Sequence, residues 1–246
     1  MLSFYQIDIN KDQKHIINLL ENKQPEYIVN FAAQSMVAQS WDYPRDWLNT
    51  NIIGLHSLLE ILKDYRPLKK FLQITTPEVY GSNPLPISED HPFRPSTPYA
   101  VSRASGDMLI KIYAERYNIP VNFTRAANVY GQGQQLYRLI PRAIMATMTK
   151  KKLILDGGGT SLRSFIHIKD VCEATFEVLT NGKEGETYHI SSDKVISVRE
   201  CVEEILQATK KKFDDAVTLG PERPGKDAIY MLSSQKIRDE LNWKEK

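Results

Sequence analysis

The chain has 246 residues, 41% of them hydrophobic and 25% charged, with 32 Lys and Arg against 30 Asp and Glu for a net charge of +2. Such a length buries a continuous core in one large domain, or in a domain with a small lobe, and so even a charge balance argues against a nucleic-acid binder. Two cysteines and five histidines give neither a disulfide framework nor a metal-ligand spacing, and no apolar run nears the length of a membrane span.

Short apolar runs at residues 4–7, 27–31, 71–75 and 121–124 predict strands, and segments 12–22, 46–63 and 98–118 predict the helices between them. In the second of these helices Leu48, Ile52, Leu55, Leu58, Leu59 and Leu62 follow three- and four-residue steps, which marks one apolar face. Alternating strands and helices, with nearly continuous apolar strands, predict a parallel sheet covered on both faces. Such sheets bind ligands beyond the carboxyl ends of their strands. After about Gly131 the rhythm changes. Helices predicted at 136–149, 170–179 and 198–209 are separated by short strands and by turns such as Asp156-Gly-Gly-Gly-Thr160, which predicts a smaller lobe interleaved with the end of the sheet. Cys172 and Cys201 fall in these helices and are expected to be buried, reduced thiols. With no basic signal-like start, the expectation is a cytoplasmic protein.

The segments that follow the strands carry the chemistry. Asn30-Phe-Ala-Ala-Gln-Ser35 ends the second strand with small residues that let a ligand approach the backbone, or that simply pack a tight turn. Thr75-Thr-Pro-Glu-Val-Tyr-Gly81 places a hydroxyl and a carboxylate two residues apart at the mouth of the sheet. Glu78 there suits a general base if burial tunes it; the alternative is an ordinary solvated loop. Ser96-Thr-Pro-Tyr-Ala-Val-Ser-Arg103 opens the next helix, with Thr97 or Ser96 as cap and Pro98 in the first turn. Tyr99 and Arg103 are then one turn apart, and a cation beneath a phenol favours phenolate. The last strand leads into Arg125-Ala-Ala-Asn-Val-Tyr-Gly131, and Arg138, Arg163 and Arg223 each lie near a turn. Arginines suit bidentate recognition of phosphate, though a solvated surface position is the usual fate of any one of them.

Taken in this order, the segments resemble the extended short-chain dehydrogenase/reductases that act on nucleotide sugars, and among them the dTDP-glucose 4,6-dehydratases. The resemblance implies an α/β Rossmann-like, doubly wound parallel sheet that lacks its first strands and glycine-rich loop, plus a small α/β substrate lobe. Residues 1–131 would form a partial NAD-binding domain, and 132–246 mostly a nucleotide-sugar-binding lobe. In that family NAD takes hydride from sugar C4 while a tyrosine takes the hydroxyl proton; a glutamate then removes the C5 proton, water leaves from C6, and hydride returns to C6. By position, Tyr99 would be the C4-hydroxyl base, Glu78 the C5 base and Thr76 the partner of the 4-oxygen. Asp8 and Ile9 would meet the adenine end of NAD, with Ala32 and Ala33 lining the cofactor and Arg103 in the place of the family's lysine. Asn128, Arg138, Arg163 and Arg223 would surround the nucleotide diphosphate and sugar. A homodimer, no nucleic acid and no membrane are the implied partners.

Four departures qualify the resemblance. No Gly-x-x-Gly-x-x-Gly turn occurs, so the chain is expected to begin at the family's third strand, and its carboxyl end stops before a further helix. Arg103 replaces a lysine that contacts the nicotinamide ribose. Pro77 replaces the acid that protonates the departing hydroxyl, which leaves Glu78 or a bound water for that step. A nucleotide-sugar 4-epimerase, or a non-catalytic remnant that binds nucleotide sugar or dimerises, are the alternatives.

Overall fold

The computed structural model describes residues 2–149, 151–222, 229 and 231–246. Residues 4–7 form no strand, contrary to the sequence expectation. Leu2 and Phe4 are exposed, while Ile7 and Ile9 lean on the core. A strand needs a neighbour for its backbone groups, and no described strand pairs with this segment. Helix α1 (Gln13–Lys23) buries Ile16 and Leu20, one turn apart, and ends at Gln24 in the left-handed region before Pro25. Strand β1 (Tyr27–Asn30) follows.

The helix expected at 46–63 is interrupted. After α2 (Gln39–Asp42) come α3 (Pro44–Leu48), a π-helical turn at Asn49–Gly54, and α4 (Leu55–Leu62). Helix α4 turns Leu55, Leu58, Leu59 and Leu62 inward, as the spacing predicts. Strand β2 (Lys70–Thr75) leads through a 3₁₀ turn at Pro77–Tyr80 towards the long helix α5 (Pro98–Tyr117), and β3 (Val121–Ala126) and β4 (Asn128–Tyr130) follow. The remainder comprises α6 (Leu139–Met148), β5 (Leu153–Asp156), β6 (Leu162–His167), α7 (Ile168–Asn181), β7 (Thr187–Ile190), β8 (Val195–Ser197), α8 (Val198–Ala208), α9 (Phe213–Ala216), β9 (Val217–Gly220) and α10 (Gln235–Leu241).

The central sheet is parallel, in the order β1-β2-β3-β7. Side chains alternate across it, so neighbours on β2 enter different cores. Phe71 packs with Leu59, Ile110 and Phe123 under α1, α4 and α5, whereas Leu72 packs with Val178, Tyr188 and Ile237 under α7 and α10. That is the doubly wound arrangement expected from the strand pattern. Two smaller sheets, β4-β6-β8 and β5-β9, lie beyond it. The β5-β9 pair packs with α6 and α8 through Leu155, Val202, Leu206 and Val217.

Cys201 is buried on α8, but Cys172 is exposed on α7. Helix α7 meets the sheet through Ala174 and Val178, which turns Cys172 to the outer face. Among the described residues no helix is long and apolar enough to cross a membrane.

Candidate active site

At the carboxyl end of β2 the chain turns sharply. Thr76 is extended and its hydroxyl caps the 3₁₀ turn by accepting the N–H of Glu78 at 3.3 Å, with Pro77 in the first-turn position. The turn closes at Gly81, whose φ is +69°; a Cβ there would lie 2.4 Å from the carbonyl oxygen of Arg94, so both conformation and space require glycine. This fixes Thr76 and Glu78 at the mouth of the sheet.

Helix α5 supplies the phenol. Thr97 is the cap, accepting the N–H of Ala100 at 3.1 Å, and the Tyr99 N–H donates to Ser40 Oγ at 3.2 Å. Thr76, Pro77, Glu78 and Tyr99 line one cavity of about 720 Å³, together with Asn128, Arg138 and Arg163. That volume suits a ligand of nucleotide size. Burial holds the Tyr99 phenol above its ordinary pKa. The Arg103 guanidinium opposes this, the Glu78 carboxylate adds to it, and a hydrogen bond with the Thr76 side chain pulls it back. Arg103 does not line the cavity. It is 4% exposed, donates from Nη2 to the carbonyl of Ile74, and leaves Nε buried without a partner among the described residues. Its charge therefore acts on Tyr99 through the protein interior, against a burial effect larger than its own.

The other expected residues divide. Asn128 opens β4 at the cavity, Arg138 precedes α6 with its guanidinium over the Tyr137 ring, and Arg163 is largely buried, donating to the Leu162 carbonyl at 2.7 Å. Ala32 and Ala33 follow β1 without lining the cavity; the Ala32 N–H is held by Asn30 Oδ1 at 3.1 Å. Asp8 is exposed and pairs with Lys11 at 3.4 Å, and Ile9 lies against Gly54. Arg223 lies outside the described residues. The small residues at the end of β1, and the buried Nε of Arg103 one turn from the phenol, fit the nicotinamide end of a dinucleotide. A glycine turn for its diphosphate is not in the sequence.

Asn51 has no place in the sequence reading. In the π-helical turn its Oδ1 accepts the Gln34 N–H at 2.8 Å, and its Nδ2 donates to the Gln34 carbonyl at 3.0 Å and to Ser102 Oγ at 2.9 Å. It thereby ties the loop after β1, whose Ser35 lines the cavity, to the helix that carries Tyr99. The available signal was a polar residue on an apolar face, one turn before Leu55. Arg142 also lines the cavity and was not singled out.

The family model described as GDP-mannose 4,6 dehydratase matches residues 1–246. The dTDP-glucose 4,6-dehydratase of Haemophilus influenzae is 33% identical over 261 residues, covering 98% of this chain and 77% of that protein. The human dTDP-D-glucose 4,6-dehydratase is 32% identical, covering 94% of this chain and 69% of its own length. Among solved structures, a dTDP-glucose 4,6-dehydratase from Streptomyces venezuelae with NAD bound superposes with a TM-score of 0.93 at 31% identity, covering 100% of this chain and 75% of that one. A UDP-glucose 4-epimerase from Thermotoga maritima with UDP-glucose gives 0.91 at 26% identity, over 99% of this chain and 79% of that one.

Proposed function

The chain belongs to the GDP-mannose 4,6-dehydratase family of NAD-dependent nucleotide-sugar enzymes, and on that premise we propose that it dehydrates a nucleoside-diphosphate hexose across C5 and C6, with Tyr99, Thr76 and Glu78 at the reacting carbons. One arrangement supports this reading: a phenol, a hydroxyl and a carboxylate from two elements share the wall of a single cavity at the carboxyl ends of the strands. Tyr99 takes the proton of the C4 hydroxyl, and Thr76, bonded to the phenol, steadies the 4-oxygen. NAD, when bound, would supply the acceptor and donor of hydride; Ala32, Ala33 and Tyr99 are the residues that would hold its nicotinamide end, with Arg103 acting from behind Tyr99, and Asp8 and Ile9 would hold its adenine end. Glu78 removes the C5 proton, which the new C4 carbonyl has made acidic. Pro77 has no proton to give, so the proton held by Glu78 is the one to hand for the departing C6 hydroxyl. Asn128, Arg138, Arg163 and Arg223 take the sugar and its diphosphate.

Pro77 favours a second reading, a 4-epimerase. Glu78 weighs against it, because inversion at C4 needs no base at C5. The proposal also includes a cytoplasmic homodimer. An exposed stripe of Val101, Met108 and Ile112 along α5, with Ile53 beside it on the preceding helix, is the surface that would pair.

Incubation of the full-length protein with NAD and dTDP-glucose tests the reading. A 4-keto-6-deoxy product, seen by its absorbance in alkali, is expected; recovery of the 4-epimer would establish the second reading, and no product from any of several nucleotide hexoses would count against both. Glu78→Gln should retain C4 oxidation while dehydration falls on the order of 10²-fold or more. Unaltered turnover would remove Glu78 from the mechanism.

A further inference from the structure

Behind the cavity wall lies a buried polar cluster that the mechanism above does not use. At its centre is Arg125 on β3, 1% exposed. Its Nη2 donates to Asp107 Oδ2 on α5 at 2.7 Å, and its Nη1 donates to Tyr80 Oη at 2.9 Å. The guanidinium lies over the rings of Tyr80 and Phe93, 5.0 and 5.1 Å from their centroids. The same oxygen of Asp107 accepts from Thr75 Oγ1 at 2.9 Å, at the end of β2. The Tyr80 hydroxyl is also 2.9 Å from Nε2 of His189 on β7. Burial holds His189 down to about 3, so it is neutral, and its 4.0 Å approach to the Glu89 carboxylate is no ion pair. The Tyr80 hydroxyl, which accepts from Arg125, also donates to the Glu89 carbonyl at 3.3 Å, and the direction of its bond with His189 Nε2 depends on the tautomer of that ring.

Three arms of the cluster end on elements that carry a group of the site. Thr75 precedes Thr76, Tyr80 closes the turn that holds Glu78, and Asp107 lies on α5 roughly two turns beyond Tyr99. A buried guanidinium–carboxylate pair is weak evidence for stability, because desolvating both charges offsets their attraction. What it does provide is angular definition, since the planar fork fixes two partners at once. An apolar triplet of the same volume would fill this space without relating the three elements to one another.

We propose that Arg125 is a positioning residue, whose guanidinium, through Asp107 and Tyr80, sets the spacing of the Tyr99 phenol and the Glu78 carboxylate across the cavity. This role rests on the dehydratase reading for its purpose, while its geometry stands independently. A lysine at 125 would keep a charge facing Asp107 but has no second planar arm for Tyr80.

The test uses the full chain with 3-fluorotyrosine placed at position 99, whose ¹⁹F resonance reports the surroundings of that phenol without any turnover. It is read beside the thermal melt and beside kcat and KM for dTDP-glucose. Tyr80→Phe removes only the hydroxyl. Arg125→Lys keeps the charge, and Arg125→Met combined with Asp107→Leu replaces the pair by apolar side chains of similar volume, which spares the fold. In Tyr80→Phe and in the double variant the melt should stay cooperative, the resonance should move, and kcat should fall on the order of 10²-fold with KM little changed, as an ångström of misplacement does. Arg125→Lys should move the resonance while keeping a cooperative melt. An unmoved resonance with unchanged kcat in Tyr80→Phe overturns the role. Loss of cooperative melting in all three variants also overturns it, in favour of a purely structural cluster. A wild-type chain that turns over no nucleotide hexose defeats the dehydratase reading, whereas the resonance still decides for or against Arg125.

Discussion

Replacing Asn51 by alanine isolates the tether between the loop after β1 and helix α5. Asn51 is 2% exposed and makes three hydrogen bonds, two with the backbone of Gln34 and one with Ser102. Each neutral bond contributes about 1 kcal/mol net, and stranded buried partners raise that figure. The Ser102 hydroxyl keeps its bond to the Tyr99 carbonyl at 2.7 Å, so the Gln34 backbone bears most of the loss. The sum is roughly 3 kcal/mol. For a chain of this size each kcal/mol lowers the melting temperature by about 2–4 °C, so Asn51→Ala should melt roughly 6–12 °C below wild type. Urea unfolding gives the free energy, and amide exchange at Gln34 gives the location. Asn51→Asp retains the acceptor but loses both donors and buries a charge, so it should be worse. A cost below about 1 kcal/mol for Asn51→Ala, with slow exchange at Gln34 preserved, would refute the reasoning.

Gly106→Ala acts on the same contact from the other side. Its Cβ would lie 2.8 Å from the Asn51 carbonyl oxygen and 3.0 Å from Leu55 Cδ2, so α5 must move away, at a cost of about 1–3 kcal/mol; wild-type stability in urea would contradict the packing. The pH dependence of stability should carry the mark of His189. Its folded value of about 3 lies below its ordinary 6.5, so the neutral form is favoured on folding. Its contribution is therefore complete above about 6.5 and declines as pH falls towards 3, by up to roughly tenfold in the folding constant per unit. Glu89, whose carboxyl burial raises, works in the opposite sense as pH rises through its own shifted range, so Glu89→Gln should steepen the loss of stability on acidification. Equal stability of the Glu89→Gln variant at pH 7 and 5 would contradict the assignment to His189.

The strands at 27–31, 71–75 and 121–124 and the helix at 98–118 were legible because their patterns match surroundings that exist: strands covered on both faces, and a helix opened by Thr97 and Pro98. The run at 4–7 has an equally strand-like pattern and forms none, because pairing depends on a neighbour and not on the run itself. Tyr99, Thr76, Glu78, Asn128, Arg138 and Arg163 were legible as short segments next to strand ends, and all of them reach the cavity. Asn51, Asp107, Arg125 and His189 were not. Their contacts span 17 to 109 residues of chain, and each, taken alone, reads as a misplaced polar residue in an apolar element. Cys172 was misplaced because spacing alone did not say which side of α7 meets the sheet.

The π-helical turn also bears on the phase of the helix in which it sits. Trp47 and Leu55 are both 3% exposed, eight residues apart. At 100° per residue an uninterrupted α-helix would leave them roughly 80° out of step; taking up one extra residue brings them to within roughly 20°. The helix thus holds one residue in surplus. Deleting Ile53, which is exposed, should yield a regular helix with both apolar stripes still aligned but with Asn51 drawn off Gln34. Such a shortened chain would keep its packing and lose its tether, which separates two jobs that a single turn performs in the intact one.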